Sequence, residues 1–348
     1  MDVWWLSNGT NNFSHLNATE ETILESIIPP TLQCLFGVLG NIMAIFLLCK
    51  TSRKHKWKPF YRLVCCLAFT DFCEIGFVYP AVMIRYISRF TFIFPKQLCE
   101  YCSFWFSFCF MTSALIVTAM SLDRFVAVRF PISYQASQRK RINILLAVIW
   151  ILSGTVSSLY LVGVGSVKNF YPGSWCFIDF ANNGQMERVN TFIYSIIGFA
   201  ILSSTVALNV AVIYSICRKQ RFTTSNKSRK KKGDVFIIVF LFAIVTLFSI
   251  CWVPIMVRML INASTGNPKN GPDELLAVRM TVSNAIVDPW VYIILRKENL
   301  VKISNWHQRI RSYFSKPTPE IYIMKETADI GTRNTGNNSS KNTITVSL

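Results

Sequence analysis

The sequence predicts an all-α membrane protein, a seven-transmembrane helix bundle with the N-terminus outside and an amphipathic helix after the seventh span. Long uncharged apolar runs, a one-sided spread of basic residues and the composition carry that prediction. Of 348 residues, 52% are apolar and 16% charged, and 36 Lys and Arg against 18 Asp and Glu leave a formal charge of +18. A disordered chain of that charge would be poor in aromatics, yet this one has 27 Phe, 12 Tyr and 9 Trp. A soluble nucleic-acid binder would interleave its basic residues with a polar surface. Here they fall in short clusters between apolar runs, so no nucleic-acid partner is expected.

Five runs reach 22 residues or more without Asp, Glu, Lys or Arg: 27–49, 101–122, 142–164, 191–217 and 235–257. Each is long enough to cross a hydrocarbon core of about 30 Å at about 1.5 Å per residue. Two more, 63–84 and 275–295, have the right length but contain Asp71 with Glu74, and Arg279 with Asp288. Seven spans result, all helical, because lipid offers the backbone no other partner. Residues 27–296 therefore form the bundle and 1–26 an outer arm. Residues 297–314 interleave Leu300, Ile303, Trp306, Ile310 and Phe314 with Lys302, Arg309 and Arg311, the pattern of a helix lying on the membrane surface. Residues 315–348, rich in Thr, Ser and Asn, read as a disordered cytoplasmic tail with hydroxyls for receptor kinases, and hence arrestin, to act on.

Orientation follows from the loops. Those after spans one, three and five hold seventeen Lys and Arg, including Lys227 to Lys232, whereas the opposite loops hold five and residues 1–26 none. Basic residues stay inside, so the N-terminus is outside and the chain is a multi-pass protein expected at the plasma membrane. Sequons at Asn8, Asn12 and Asn17 then fall where glycosylation can reach them. No basic segment with a short apolar core precedes span one, which serves as its own insertion signal. An odd number of spans without an internal repeat fits poorly with a transporter built from matched halves, and favours a receptor.

The motifs are ordered along the chain. Span one has Gly40-Asn41, span two Leu67-Ala68 and Asp71, and span three runs from Cys99 to Asp123-Arg124-Phe125. Span four has Trp150, span six Phe248 to Pro254 with Trp252, and span seven Asp288-Pro289-Trp290-Val291-Tyr292. In this the chain resembles the rhodopsin-like (class A) G-protein-coupled receptors over residues 25–314. The resemblance implies a receptor without enzymatic activity or cofactor, coupled to a heterotrimeric G protein. It excludes two ligand classes. Where receptors for biogenic amines place an Asp, this chain has Phe106, and where opsins hold retinal on a Lys it has Val282.

Arg279 is the positive signal. It lies roughly 7 Å of helix rise inside span seven, where an unpaired Arg costs on the order of 2 to 3 kcal/mol. Snorkelling to the outer headgroups, pairing with an internal acid, or binding a ligand anion would each offset that cost. The loop Tyr171-Pro172-Gly173-Ser174-Trp175-Cys176-Phe177 and the Arg279 and Asp288-Pro289-Trp290 segments of span seven are similar to those of the prostanoid receptors, and span five lacks a proline, as theirs does. In that group the loop lids the pocket and the arginine binds the ligand carboxylate. Leu98-Cys99-Glu100-Tyr101 and Trp175 to Asp179 look most like the prostaglandin E receptors that couple to the stimulatory G protein and raise cyclic AMP.

By resemblance, Tyr86 and Ser174 complete a carboxylate clamp with Arg279, Trp175 belongs to the lid, and Phe106 and Met83 line an apolar channel. Ser174 stands where the family usually has Thr, and Trp252 where prostaglandin E relatives tend to lack Trp. The family joins Cys99 to Cys176; Cys102 is the competing thiol, expected to face the bundle unbonded. No Cys follows residue 296, so no palmitoyl anchor is expected. Asp71, Ser113, Asn284 and Asp288 match the family's sodium site, to which a shared proton or a neutral polar cluster is the alternative. Asp123, Arg124, Trp252, Pro254, Asp288, Pro289 and Tyr292 match positions that serve activation and G-protein coupling, with Phe125 in place of the usual Tyr. Glu74 matches no family role. A receptor for another acidic lipid, or an organic-anion transporter or channel using Arg279 as its selectivity charge, are the alternatives.

Overall fold

The computed structural model describes residues 26–55, 59–135, 138–182, 184–222, 228–265 and 271–294. The arm with Asn8, Asn12 and Asn17, the expected surface helix and the tail lie outside them. Seven long helices are present among the described residues: α1 (Ile28–His55), α2 (Pro59–Ile87), α3 (Lys96–Arg129), α4 (Gln138–Ser157), α5 (Gln185–Phe222), α6 (Ser228–Thr265) and α7 (Gly271–Ile294). Prolines mark their starts, where a missing N–H costs nothing: Pro29 and Pro30 in α1, Pro59 in α2, and Pro131 in a short helix, Pro131–Gln135, that follows α3.

The helices close into a ring in which α1 packs on α2 and α7, α5 on α6, and α6 on α7, with α3 against α2, α4 and α5. In α3, 72% of the most apolar stretch is buried, against 28% in α1, α4 and α5, which makes α3 the central post. The outward side chains are themselves apolar, such as Phe46 of α1, Ile151 of α4 and Ile196 of α5. A soluble bundle would place polar groups there; lipid requires this pattern. Six of the helices are long and apolar enough to cross a membrane, and α7 is the one that carries Asp273, Glu274, Arg279 and Asp288. Polar links tie the interior where helices meet: Thr118 and Thr205 at 2.7 Å, and Asn209 to Ser121 at 2.6 Å, join α3 to α5.

Two boundaries differ from expectation. The fourth apolar run continues to residue 164, but α4 ends at Ser157. The Ser158 hydroxyl donates back to the Gly154 carbonyl, a 3-10 turn follows over Leu159–Val162, and Gly163 closes it at φ 86°. At the other end of the chain, α7 starts at Gly271, so Arg279 lies about 12 Å of helix rise from its first residue rather than about 7 Å.

A β-hairpin follows the 3-10 turn: β1 (Val167–Phe170) pairs antiparallel with β2 (Trp175–Ile178), Val167 opposite Ile178 and Phe170 opposite Trp175. Every residue of β2 is buried, and the strand rests on α3. Cys176 is disulfide-bonded to Cys99 of α3, while Cys102 is buried and carries no disulfide. Phe170 stacks between Trp175 at 4.6 Å and Phe180 at 4.5 Å, so the hairpin has a small aromatic core of its own.

Candidate ligand-binding site

At the hairpin end of the bundle a partly open cavity lies between α1, α2, α3 and α7. One wall is a single face of α2, with Glu74, Val78, Val82 and Tyr86 following one another at four-residue spacing. Leu275, Val278, Arg279 and Val282 of α7, Phe106 of α3 and Gln33 of α1 form the rest, and Ser174, Trp175 and Cys176 of the hairpin roof it.

The polar groups converge near the roof. Arg279 Nη2 donates to the Tyr86 hydroxyl at 3.1 Å, and Ser174 Oγ donates to the same oxygen at 3.4 Å. Tyr86 and Ser174 are buried and Arg279 is half-buried, so the guanidinium faces the cavity from a mostly dry setting. Such a fork presents paired donors to a carboxylate and stays charged without water, which suits an anionic headgroup. Met83, expected in the wall, is not part of it: its sulfur lies 4.0 Å from the Thr31 hydroxyl of α1.

Of two further polar residues of the wall, the sequence passed over Gln33 and left Glu74 without a role. Gln33 lies in α1 among apolar neighbours; its amide nitrogen donates to the Arg279 carbonyl at 3.2 Å, and its oxygen accepts from Tyr79 at 2.8 Å, joining α1, α2 and α7 behind the clamp. Glu74, unassigned from sequence, lines the cavity with only 4% of its surface exposed. A neutral amide inside an apolar run carries no spacing signal, and Glu74, one turn from Asp71, stands out as a charge without showing which way it points.

Beneath the cavity, Phe106 stacks on Phe110 at 6.0 Å and Phe110 on Trp252 of α6 at 4.0 Å. Trp252 is buried two residues before Pro254, which lies inside α6 and removes a backbone donor there. Deeper still, Asp71 Oδ1 accepts from Ser113 at 2.7 Å and Asp288 Oδ2 from Asn284 at 2.9 Å. The other oxygens, Asp71 Oδ2, Asp288 Oδ1 and Asn284 Oδ1, are buried without a hydrogen-bond partner, and the two carboxyls are within Coulombic reach of each other. Three orphaned oxygens beside a serine hydroxyl are a donor set of the hard kind that suits a small cation. No cluster of three or more His, Cys, Asp or Glu occurs among the described residues.

At the opposite end of the bundle, Arg124 is ion-paired with Asp123 and lies over the Phe60 ring, 4.6 Å from its centroid. Tyr134, in the short helix after α3, donates to Asp123 Oδ1 at 2.9 Å and accepts from Arg124 at 3.3 Å. Burial, reinforced by the neighbouring Asp123, pushes the Tyr134 phenol up to about 12. Pro289 lies inside α7 and Tyr292 is buried near its end.

Comparison with known proteins identifies the frame. Residues 40–292, well over half of the chain, match the model of the 7 transmembrane receptor (rhodopsin family). The chain belongs to this family. As a rhodopsin-family receptor it is a multi-pass membrane protein and not an enzyme. Squid rhodopsin has the same fold, with a TM-score of 0.70 at 20% identity over 90% of this chain and 94% of that one. Among curated proteins, the mouse prostaglandin E2 receptor EP4 subtype is 27% identical over 82% of this chain, a match that spans 65% of that receptor's own length. The human prostaglandin E2 receptor EP3 subtype is 27% identical, over 84% of this chain and 83% of the relative. The mouse prostacyclin receptor is 28% identical, over 82% and 71%.

Proposed function

We propose that this receptor binds a prostanoid, with the ligand carboxylate on Arg279, Tyr86 and Ser174, and signals through a heterotrimeric G protein. The observation that carries the reading is the meeting of those three side chains in one cavity roofed by a disulfide-pinned hairpin. An acidic lipid needs one fixed cation, hydroxyl partners and a long apolar wall, and the cavity supplies each. Prostaglandin E2 and prostacyclin receptors among the relatives support a prostanoid over other acidic lipids. Prostaglandin E is the preferred ligand and a rise in cyclic AMP the output, on the likeness to the EP4 subtype.

On this reading the protein sits in the plasma membrane with its N-terminus and hairpin outside, glycosylated at Asn8, Asn12 and Asn17. Asp123, Arg124 and Tyr134 face the G protein, Trp252 and Pro254 form the hinge of α6, and the tail is the substrate of receptor kinases and the dock for arrestin. Asp71, Ser113, Asn284 and Asp288 hold a sodium ion, which neutralises part of the charge they carry into the bundle. A panel of prostanoids read by cyclic AMP and calcium in cells expressing the chain tests the reading. A response abolished by Arg279→Ala at unchanged surface level is expected. Silence to prostanoids with a response to another acidic lipid would replace the ligand class, and ligand-independent anion flux would remove the receptor reading altogether.

A further inference from the structure

Glu74 is a residue without an internal explanation. Its side chain is 4% exposed and lines the cavity, and it makes neither a hydrogen bond nor an ion pair with any described residue. The ionisable groups within its Coulombic reach are Asp71, Tyr79 and Cys109, none of them a cation. A buried carboxyl normally keeps its partners, because leaving an acceptor dry and unmatched is costly. The Glu74 oxygens are not among the fully dry, partnerless atoms of the bundle, so what meets them comes from the cavity that Glu74 lines.

Its position suggests what does. Glu74 and Tyr86 share one face of α2, twelve residues apart, which places Glu74 about 18 Å of helix rise from the Arg279–Tyr86 pair. The residues nearest to it along the cavity wall, Val78 on α2 and Val282 on α7, are apolar, as is Phe106 on α3. Tyr79, the other polar group of the α2 wall, is engaged with Gln33, so a ligand whose acid end sits on Arg279 meets an unengaged carboxyl in Glu74 at its far end. A carboxyl has an acceptor oxygen in either protonation state, so it matches a hydroxyl donor.

We infer that Glu74 is a specificity-determining residue of the ligand site, accepting a hydrogen bond from a hydroxyl carried on the apolar part of the bound acid. The inference deepens the prostanoid reading and rests on it: that reading supplies the acid end, and Glu74 selects among acids by what they carry at the other.

The test uses the full-length receptor in cell membranes and two competitors, prostaglandin E2 and its analogue lacking the side-chain hydroxyl. The wild type is expected to bind the hydroxylated ligand about 10- to 100-fold more tightly. Glu74→Met should remove that preference to within about threefold by weakening only the hydroxylated ligand. Glu74→Gln, which keeps the shape and an acceptor, should retain the preference. Equal affinities in the wild type would overturn the inference, even where Glu74→Met fails to reach the surface. So would a Glu74→Met variant that weakens both ligands alike, the mark of a structural role, or one that keeps the preference. If neither competitor binds a wild-type receptor that is present at the surface, the prostanoid reading falls and the inference with it. Binding of both without preference sinks the inference alone.

Discussion

The clamp at Arg279 is organised by an oxygen that has no charge. The Tyr86 hydroxyl accepts from Arg279 at 3.1 Å and from Ser174 at 3.4 Å, so it fixes the guanidinium and ties the roof to α7 through α2. Arg279→Ala removes the charge-assisted bonds themselves, each of about 1.5 to 3 kcal/mol, and should weaken an acidic ligand by about 100-fold in competition binding with surface staining unchanged. Tyr86→Phe leaves the charge and removes one hydroxyl, which positions the guanidinium and, on the proposed function, also meets the carboxylate. With a neutral hydrogen bond contributing about 1 kcal/mol, the expected loss is about fivefold. A loss as large as that of Arg279→Ala would make the phenol the equal of the guanidinium in holding the ligand. Arg279 stood out in the sequence because a charge inside a span is costly, whereas Tyr86 and Ser174 were named by resemblance alone. Gln33 carried no signal at all, and Glu74 showed as a charge beside Asp71 with no period to betray which way it points.

At the scale of elements, the hairpin is the part the sequence hid. Its strands are four residues each, too short for alternation to stand out, and the apolar run of the fourth span flows into it without a charge. Its turn is set by Gly173 at φ 86°, where a Cβ would lie 3.0 Å from Arg85 Nη2. Arg85 in turn donates to the carbonyls of Phe90 and Phe92, holding the loop between α2 and α3. Gly173→Ala should therefore cost more than its backbone strain of about 1 to 2 kcal/mol. Gly163, also at φ 86° but with nothing within 4 Å of where a Cβ would lie, isolates that strain. Thermal unfolding of the purified receptor should be lowered more by Gly173→Ala than by Gly163→Ala; equal shifts would deny the Arg85 contact. Just after β2, burial raises the Asp179 carboxyl above its ordinary range, with Lys168 opposing. The folded loop thus binds a proton more tightly than the unfolded chain, so this contribution is full below the ordinary carboxylate value and is lost as pH rises through the raised one. Asp179→Asn, which keeps an acceptor for the Ala181 N–H, should flatten that decline as pH rises above the ordinary carboxylate range.

For the whole molecule, what matters is how the cavity and the Asp123–Arg124 end are linked across the bundle. The seven helices and their order were readable because lipid demands long uncharged runs, but the linkage was not, because it depends on which faces meet. Phe106 lines the cavity and passes contact through Phe110 to Trp252 near the proline of α6, so on the proposed function a ligand that moves Phe106 bears on the hinge of α6. At the far end Arg124 is held by Asp123, and Tyr134 braces both partners. On the proposed function this brace favours the silent state, and its removal should shift the balance in proportion to the bonds lost. Tyr134→Phe deletes the donor to Asp123 and the acceptor for Arg124 while keeping the ring. At about 0.5 to 1.5 kcal/mol per bond, the two lost bonds shift the equilibrium by about 5- to 150-fold, and ligand-independent cyclic AMP should rise accordingly until it saturates. Because the same shift raises the population that binds agonist, agonist affinity should rise by a similar factor, whereas Tyr86→Phe changes affinity and leaves basal output alone. Tyr134→Phe with raised basal output but unchanged agonist affinity would separate the two ends, and place the brace outside the coupled equilibrium.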